Sequence, residues 1–122
     1  MKKLLFEIIG RVISKKNSKR MMRNRRTGKM FPVSSTAYVK FKRNALKQID
    51  EIDTRFDKPV HIDYLFCTKG KQKIDIDNAM ASINDILEDA QILQNDSLIK
   101  STYAKLEHGY TEWKTYIRII EL

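Results

Sequence analysis

From Val60 to Lys100 the chain reads as a strand, a helix and a second strand, and this order restricts the fold more than any other feature of the sequence. Val60, Ile62, Tyr64 and Phe66 alternate with His61, Asp63, Leu65 and Cys67, the period-two pattern of a strand with one face fully buried and the other mixed. A polar and basic loop, Thr68 to Lys73, leads out of it. Beyond Asp77, the residues Met80, Ile83, Leu87 and Ala90 recur at helical spacing while Asn84, Asp85, Glu88 and Asp89 fall off that stripe. The spacing predicts an amphipathic helix from Asn78 to about Glu88, packed on a sheet.

Between strand and helix lies Ile74-Asp75-Ile76-Asp77-Asn78, with two carboxylates one residue apart. In an extended segment residues i and i+2 point the same way, so Asp75 and Asp77 are expected on one face and Ile74 and Ile76 on the opposite, buried one. Two carboxylates held together repel unless they share a proton or a cation. Magnesium suits the second remedy, because it takes one or two carboxylates, keeps several waters and completes its shell with phosphate oxygens. A third acid, Asp96, follows in Asn95-Asp96-Ser97. The helix carries the chain roughly 16 Å away at about 1.5 Å per residue. Residues 89–96, if extended, span up to about 26 Å on the way back, so chain length permits all three acids to meet. Two of the acids also have a plainer reading: Asp77 is placed to cap the helix, and Asp96 alone is an ordinary loop acid. Asp75 is not explained this way, because a cap needs one acid and Asp75 already lies outside the helix.

The formal charge of +9 is concentrated in one place. Arg11 to Lys29 holds nine Lys and Arg residues and no acid, while the remainder carries fifteen of each sign. Such a block meets phosphate or, less often, an acidic membrane surface, and this one lacks the apolar face of an interfacial helix. Lys15, Lys16, Asn17, Lys19, Arg20, Arg23, Arg25, Arg26 and Lys29 are therefore the expected nucleic-acid contacts. Asn24 to Gly28 has turn chemistry between two extended arms, so residues 13–31 form either a basic β-ribbon or a mobile loop that orders on DNA.

These residues resemble the RusA-like Holliday-junction resolvases. The family pattern runs Asp-x-Asp-Asn, then a lysine, then Leu-Asp-Ala-Leu on a helix, then Asp-Asp-Ser-Gln-Val. Here Asp75, Asp77 and Asn78 match the first group, Asp85 falls on the helix acid, and Asp96-Ser97 match the last. Gly10 to Arg20 is similar to the family's basic N-terminal segment, at lower specificity. The resemblance implies that Asp75, Asp77 and Asp96 bind a catalytic Mg2+, for which Mn2+ substitutes, and that a homodimer makes paired nicks in branched DNA. In two places the chain departs from the pattern. The family lysine falls on Ala81, and Asn95 and Leu98 replace the first Asp and the Gln of the acidic segment. Lys73, two residues before Asp75, is the candidate replacement for the lysine as a catalytic positive charge.

The other elements follow from patterning. Lys2 to Val12 reads as a first strand with a bend at Gly10. Pro32 to Thr36 offers a helix start capped by Ser34 or Ser35, followed by Ala37, Tyr38, Phe41, Ala45, Leu46, Ile49 and Ile52 at helical spacing. Leu98 to Glu107 and Glu112 to Leu122 read as two strands joined as a hairpin across His108 to Thr111. Together these give one α/β (α+β) domain with a mixed β-sheet of about four strands and two main helices.

A composition of 42% hydrophobic and 32% charged residues excludes disorder, and no apolar run approaches a membrane span, so a cytoplasmic protein is expected. Cys67 is the only cysteine, and no His pair stands at metal spacing, so neither a disulfide nor zinc is expected. The glycines form no phosphate loop, and no nucleotide or organic cofactor is expected. The expected function is a magnesium-dependent endonuclease of four-way DNA junctions. Its rivals are a non-catalytic nucleic-acid-binding protein and a nuclease for other branched DNA.

Overall fold

The computed structural model describes the backbone of residues 1–14, 19–34 and 36–122, and the side chains of residues 1–14, 21–30 and 36–122. The elements are β1 (Lys3–Ile9), β2 (Lys19–Arg23), β3 (Met30–Ser34), α1 (Thr36–Gln48), β4 (Val60–Lys69), α2 (Ile76–Asp89), a single 3-10 turn (Asp96–Leu98), β5 (Ile99–Tyr110) and β6 (Lys114–Glu121). The main sheet has the order β1-β6-β4-β5. It is mixed, with β4 parallel to β5 and antiparallel to β6, and β1 antiparallel to β6. This is the expected α+β architecture of four strands and two helices.

β4 lies inside the sheet because its alternation is the most apolar of any strand. Val60, Ile62, Tyr64 and Phe66 are all buried and face the helices. Ile83, Ile86 and Leu87 of α2 and Phe41 and Ala45 of α1 close over them, with Ile117 and Ile119 of β6 in the same core. Each Val, Ile, Leu or Phe among them stabilises the fold by about 1.5–3 kcal/mol when fully buried. The helices are tied to each other by polar contacts as well. Lys42 of α1 donates to Asp85 Oδ2 at 3.0 Å and pairs with Asp89, and the Tyr38 hydroxyl donates to Asp85. Burial, then the hydrogen bond to Asp85, pushes the Tyr38 hydroxyl well above the usual phenol range. The helix acid of the family pattern thus joins two helices.

Three details depart from the sequence expectations. β5 and β6 do not form a hairpin, since β6 lies between β1 and β4 while β5 is on the far side of β4. Local patterning shows that two strands are close in sequence but not which neighbour each one takes. The most apolar strand competes for the centre, and here β4 separates them. α1 ends at Gln48, and Ile49 and Ile52 reach the core from the turns beyond it. Ser34 belongs to β3, and Ser35 lies outside the described residues.

On the face of the sheet away from the helices, Asp63 of β4 stands opposite Arg118 of β6. Arg118 Nε donates to Asp63 Oδ2 at 2.8 Å, and His61 Nε2 lies 2.7 Å from Oδ1. Burial alone would raise the Asp63 carboxyl, but the hydrogen bonds from His61 and Arg118 outweigh it and hold the group below its ordinary value. A carboxyl depressed in the folded state contributes stability that is present above its unfolded value and lost as pH falls through the folded one. Asp63→Asn is therefore expected to lower the melting temperature at neutral pH and to narrow the gap to the parent below about pH 4, near the usual Asp value. Thermal melts across pH 2.5–7 check this, and a gap that widens in acid would contradict it.

Candidate active site

Asp75 and Asp77 both lie at the start of α2. Asp75 is the N-cap, with extended backbone (φ −84°, ψ 111°), and its Oδ1 accepts the Asn78 N–H at 3.2 Å. Asp77 falls in the first helical turn. The helix therefore begins two residues earlier than the sequence pattern implies, and the cap is Asp75 rather than Asp77. The alternation argument for a shared face fails for this reason, because the backbone is already helical at Ile76. Ile74 and Ile76 still pack against the core, and Asp75 and Asp77 are both exposed at one helix end.

Asp96 is elsewhere. β4 runs away from Val60, which pairs with Ile99 at the start of β5, and Asp75 follows the other end of β4. From Val60 to Cys67 is roughly 23 Å at about 3.3 Å per residue, and the 14 residues of α2 cover about 21 Å in the opposite direction. Asp96 is held at the far end by its own N–H, which donates to Glu88 Oε1 at 2.9 Å. One chain therefore does not bring Asp96 to Asp75 and Asp77. Among the described residues no group of three or more acids, His or Cys is placed to hold a metal. The return path that chain length permits is blocked by packing. Ile92 and Leu93 are buried where the helix ends, and Ile92 O accepts from the Phe56 N–H at 2.8 Å. The sequence carries this signal as an apolar pair inside a stretch that otherwise has the look of a free linker.

Beside Asp75 the surface opens into a cleft of about 250 Å³ lined by Arg11, Ser14, Lys73, Ile74, Asp75 and Ala79, among others. Lys73 lines the same cleft as Asp75, and Arg11 joins them from the segment after β1. Charge patterning puts Arg11 in the basic block but does not assign it to the site. Ala81, on the position of the family lysine, is an exposed residue of α2.

From Lys19 on, the basic block forms a ribbon, one of its two alternatives. β2 and β3 pair antiparallel from Lys19↔Ser34 to Arg23↔Met30, and the Gly28 N–H donates to Asn24 O at 2.7 Å across the turn. Gly28 supplies the positive φ (71°) that this turn requires. Arg23, Arg25, Arg26 and Lys29 are all exposed along it. Lys15, Lys16 and Asn17 lie outside the described residues, as do the side chains of Lys19 and Arg20.

A family model described as Endodeoxyribonuclease RusA matches residues 11–120. The chain belongs to the RusA endodeoxyribonuclease family. The match spans the ribbon, both helices and the acidic segments, and membership identifies an endodeoxyribonuclease that resolves Holliday junctions. A search of curated proteins returned no match. Within the RusA pattern, Asp75, Asp77 and Asn78 open α2, and Asp96 precedes β5. No helix among the described residues is long and apolar enough to cross a membrane.

Proposed function

We propose that this RusA-family chain is a magnesium-dependent endonuclease of four-way DNA junctions that acts as a homodimer, with Asp75 and Asp77 of one copy and Asp96 of the other forming each active site. The observation that carries this reading is the pair of exposed carboxylates at the start of α2, next to a cleft with Lys73 and Arg11 on its wall. Their donors are hard carboxylate oxygens, the chemistry that magnesium takes, and two carboxylates are within its usual protein share. A divalent cation there supplies positive charge against the scissile phosphate and acidifies water. The chain's own part is to orient. The cap bond to the Asn78 N–H fixes the Asp75 side chain, Ile74 and Ile76 anchor the backbone beneath both acids, and Lys73 offers a cation to phosphate.

Two considerations support the homodimer. Resolution needs two symmetrical nicks, hence two sites related by a two-fold axis. In addition, β5 is a 12-residue edge strand that among the described residues pairs only with β4, leaving a row of backbone donors and acceptors. Antiparallel pairing of two β5 strands over their whole length would set Ile99 of the second copy opposite Tyr110. The second copy's Asp96 would then stand at the end of the sheet where α2 begins.

The test uses a labelled four-way junction and a matched linear duplex, each with magnesium and then with EDTA. Paired nicks in the junction alone, lost in EDTA, are the expected result. Binding without cutting in magnesium or manganese would leave a nucleic-acid-binding protein, and equal cutting of the linear duplex would leave a nuclease of other specificity. The ribbon is expected to touch backbone phosphate rather than bases. Changing Arg23, Arg25, Arg26 and Lys29 together to Gln should lower the slope of log affinity against log salt by about 0.9 for each phosphate that the ribbon no longer neutralises. An unchanged slope would remove the ribbon from the interface.

A further inference from the structure

We infer that Arg11, seated on Trp113, is a phosphate-binding catalytic residue of this chain and supplies the positive charge that the family lysine, here Ala81, does not. The inference rests on the nuclease reading above and adds a residue to it.

Three features place and orient Arg11. Its guanidinium carbon lies 5.2 Å from the centre of the Trp113 ring, a cation-π distance that steadies a long side chain without neutralising it. The backbone on one side is held by Gly10, whose N–H donates to Trp113 O at 2.8 Å and whose φ of 127° turns the chain off β1. That φ lies where L side chains are strained. On the other side the Ser82 hydroxyl donates to Ile13 O at 2.9 Å, which ties the segment to α2, the helix capped by Asp75. Val12 is buried between these two anchors. Arg11 itself is exposed and lines the cleft that Asp75 and Lys73 also line.

A guanidinium suits this position. It stays charged at any working pH, and its planar fork donates two parallel hydrogen bonds to a phosphate. The cleft volume of about 250 Å³ equals about eight waters at ~30 Å³ each, room for a phosphodiester and part of its hydration. Arg11 and Lys73 would face the phosphate from the cleft wall while the two acids stand at the helix start. In the transition state of phosphodiester hydrolysis, negative charge grows on the phosphoryl oxygens. A cation already in position stabilises that charge more than it stabilises the ground state.

The experiment compares the parent with Arg11→Ala, Arg11→Lys, Trp113→Leu and the Arg11→Ala/Trp113→Leu double variant on a labelled four-way junction. Circular dichroism melts verify folding first. In EDTA, Arg11→Ala is expected to reduce the log-log salt slope of binding by about 0.9, the value for one phosphate, while Arg11→Lys keeps it. In magnesium at saturating protein, Arg11→Ala is expected to slow single-turnover cleavage about 100-fold, the usual cost of one preorganised donor. Arg11→Lys should recover part of that rate. Trp113 acts through Arg11 as a positioning residue, so Trp113→Leu should slow cleavage, and the double variant should be no slower than Arg11→Ala alone. An unchanged salt slope overturns phosphate binding by Arg11 whether or not the protein cuts. Parental cleavage by Arg11→Ala overturns the catalytic role. A parent that binds but does not cut, with the slope still falling in Arg11→Ala, would overturn the nuclease reading and the catalytic role while leaving the phosphate binding.

Discussion

Asp75→Asn is expected to slow junction cleavage by about 1,000-fold or more while the protein still folds and still binds DNA. This substitution separates the two tasks that Asp75 carries. As N-cap, its Oδ1 accepts from the Asn78 N–H, and asparagine caps a helix as well as aspartate does. The fold therefore loses only the favourable effect of a negative charge on the helix dipole, about 0.3–1 kcal/mol. As a carboxylate proposed to hold a hard cation it has no neutral substitute. An amide oxygen is a far weaker donor to a hard cation and brings no charge. Binding measured in EDTA should hold or tighten, since a negative charge facing phosphate is gone. Asp75→Ala is the comparison that shows the difference, because it adds about 1 kcal/mol of lost capping to the same loss of chemistry. Single-turnover cleavage, binding in EDTA and thermal melts of both variants decide the matter. An Asp75→Asn protein that cuts at the parental rate would end the assignment of this acid to the site.

A mixture of Asp75→Asn and Asp96→Asn chains is expected to recover cleavage that neither variant shows alone. Within one chain the two acids sit at opposite ends of α2 and β4, so a site containing both must draw them from two copies. In a mixed dimer one site then loses both acids while the other keeps all of them, and the junction receives single nicks instead of paired ones. If each chain built its own complete site, the mixture would be as inactive as its components. Asp96 is exposed, so its replacement disturbs little packing. The measurement uses co-expressed chains with different tags, purified over both, and counts nicked against resolved products. No product from the mixed dimer would remove Asp96 from the shared site.

The elements are legible in the sequence because their signals are local. Alternation in Val60 to Cys67, the stripe of Met80, Ile83 and Leu87, and the turn chemistry of Asn24 to Gly28 each concern residues within a few positions of one another. The acidic pair is legible for the same reason. Long-range relations are not. That β6 inserts between β1 and β4 depends on which strands win the centre of a shared core, and no short window carries that competition. The sequence pattern sets the start of α2 two residues late because Asp75 and Asp77 both have capping chemistry, and only backbone geometry tells which one caps. Nothing local places Arg11 beside Asp75, because its ring partner, Trp113, is about a hundred residues away in sequence.

By itself the amino-acid order determined the element types, the concentration of excess charge in one segment, and the family to which the acidic motifs belong. Hydrogen-bond periodicity, charge and side-chain chemistry are properties of neighbours along the chain. Tertiary structure alone decided that Asp96 parts from Asp75 and Asp77 and that Arg11 lines the cleft beside Asp75. Burial of Ile92 and Leu93 against Phe56 holds the chain at the far end of the sheet, and the turn at Gly10 lays Arg11 across Trp113. Chain length permitted either arrangement for the acids, and the packing of a few apolar residues selected one.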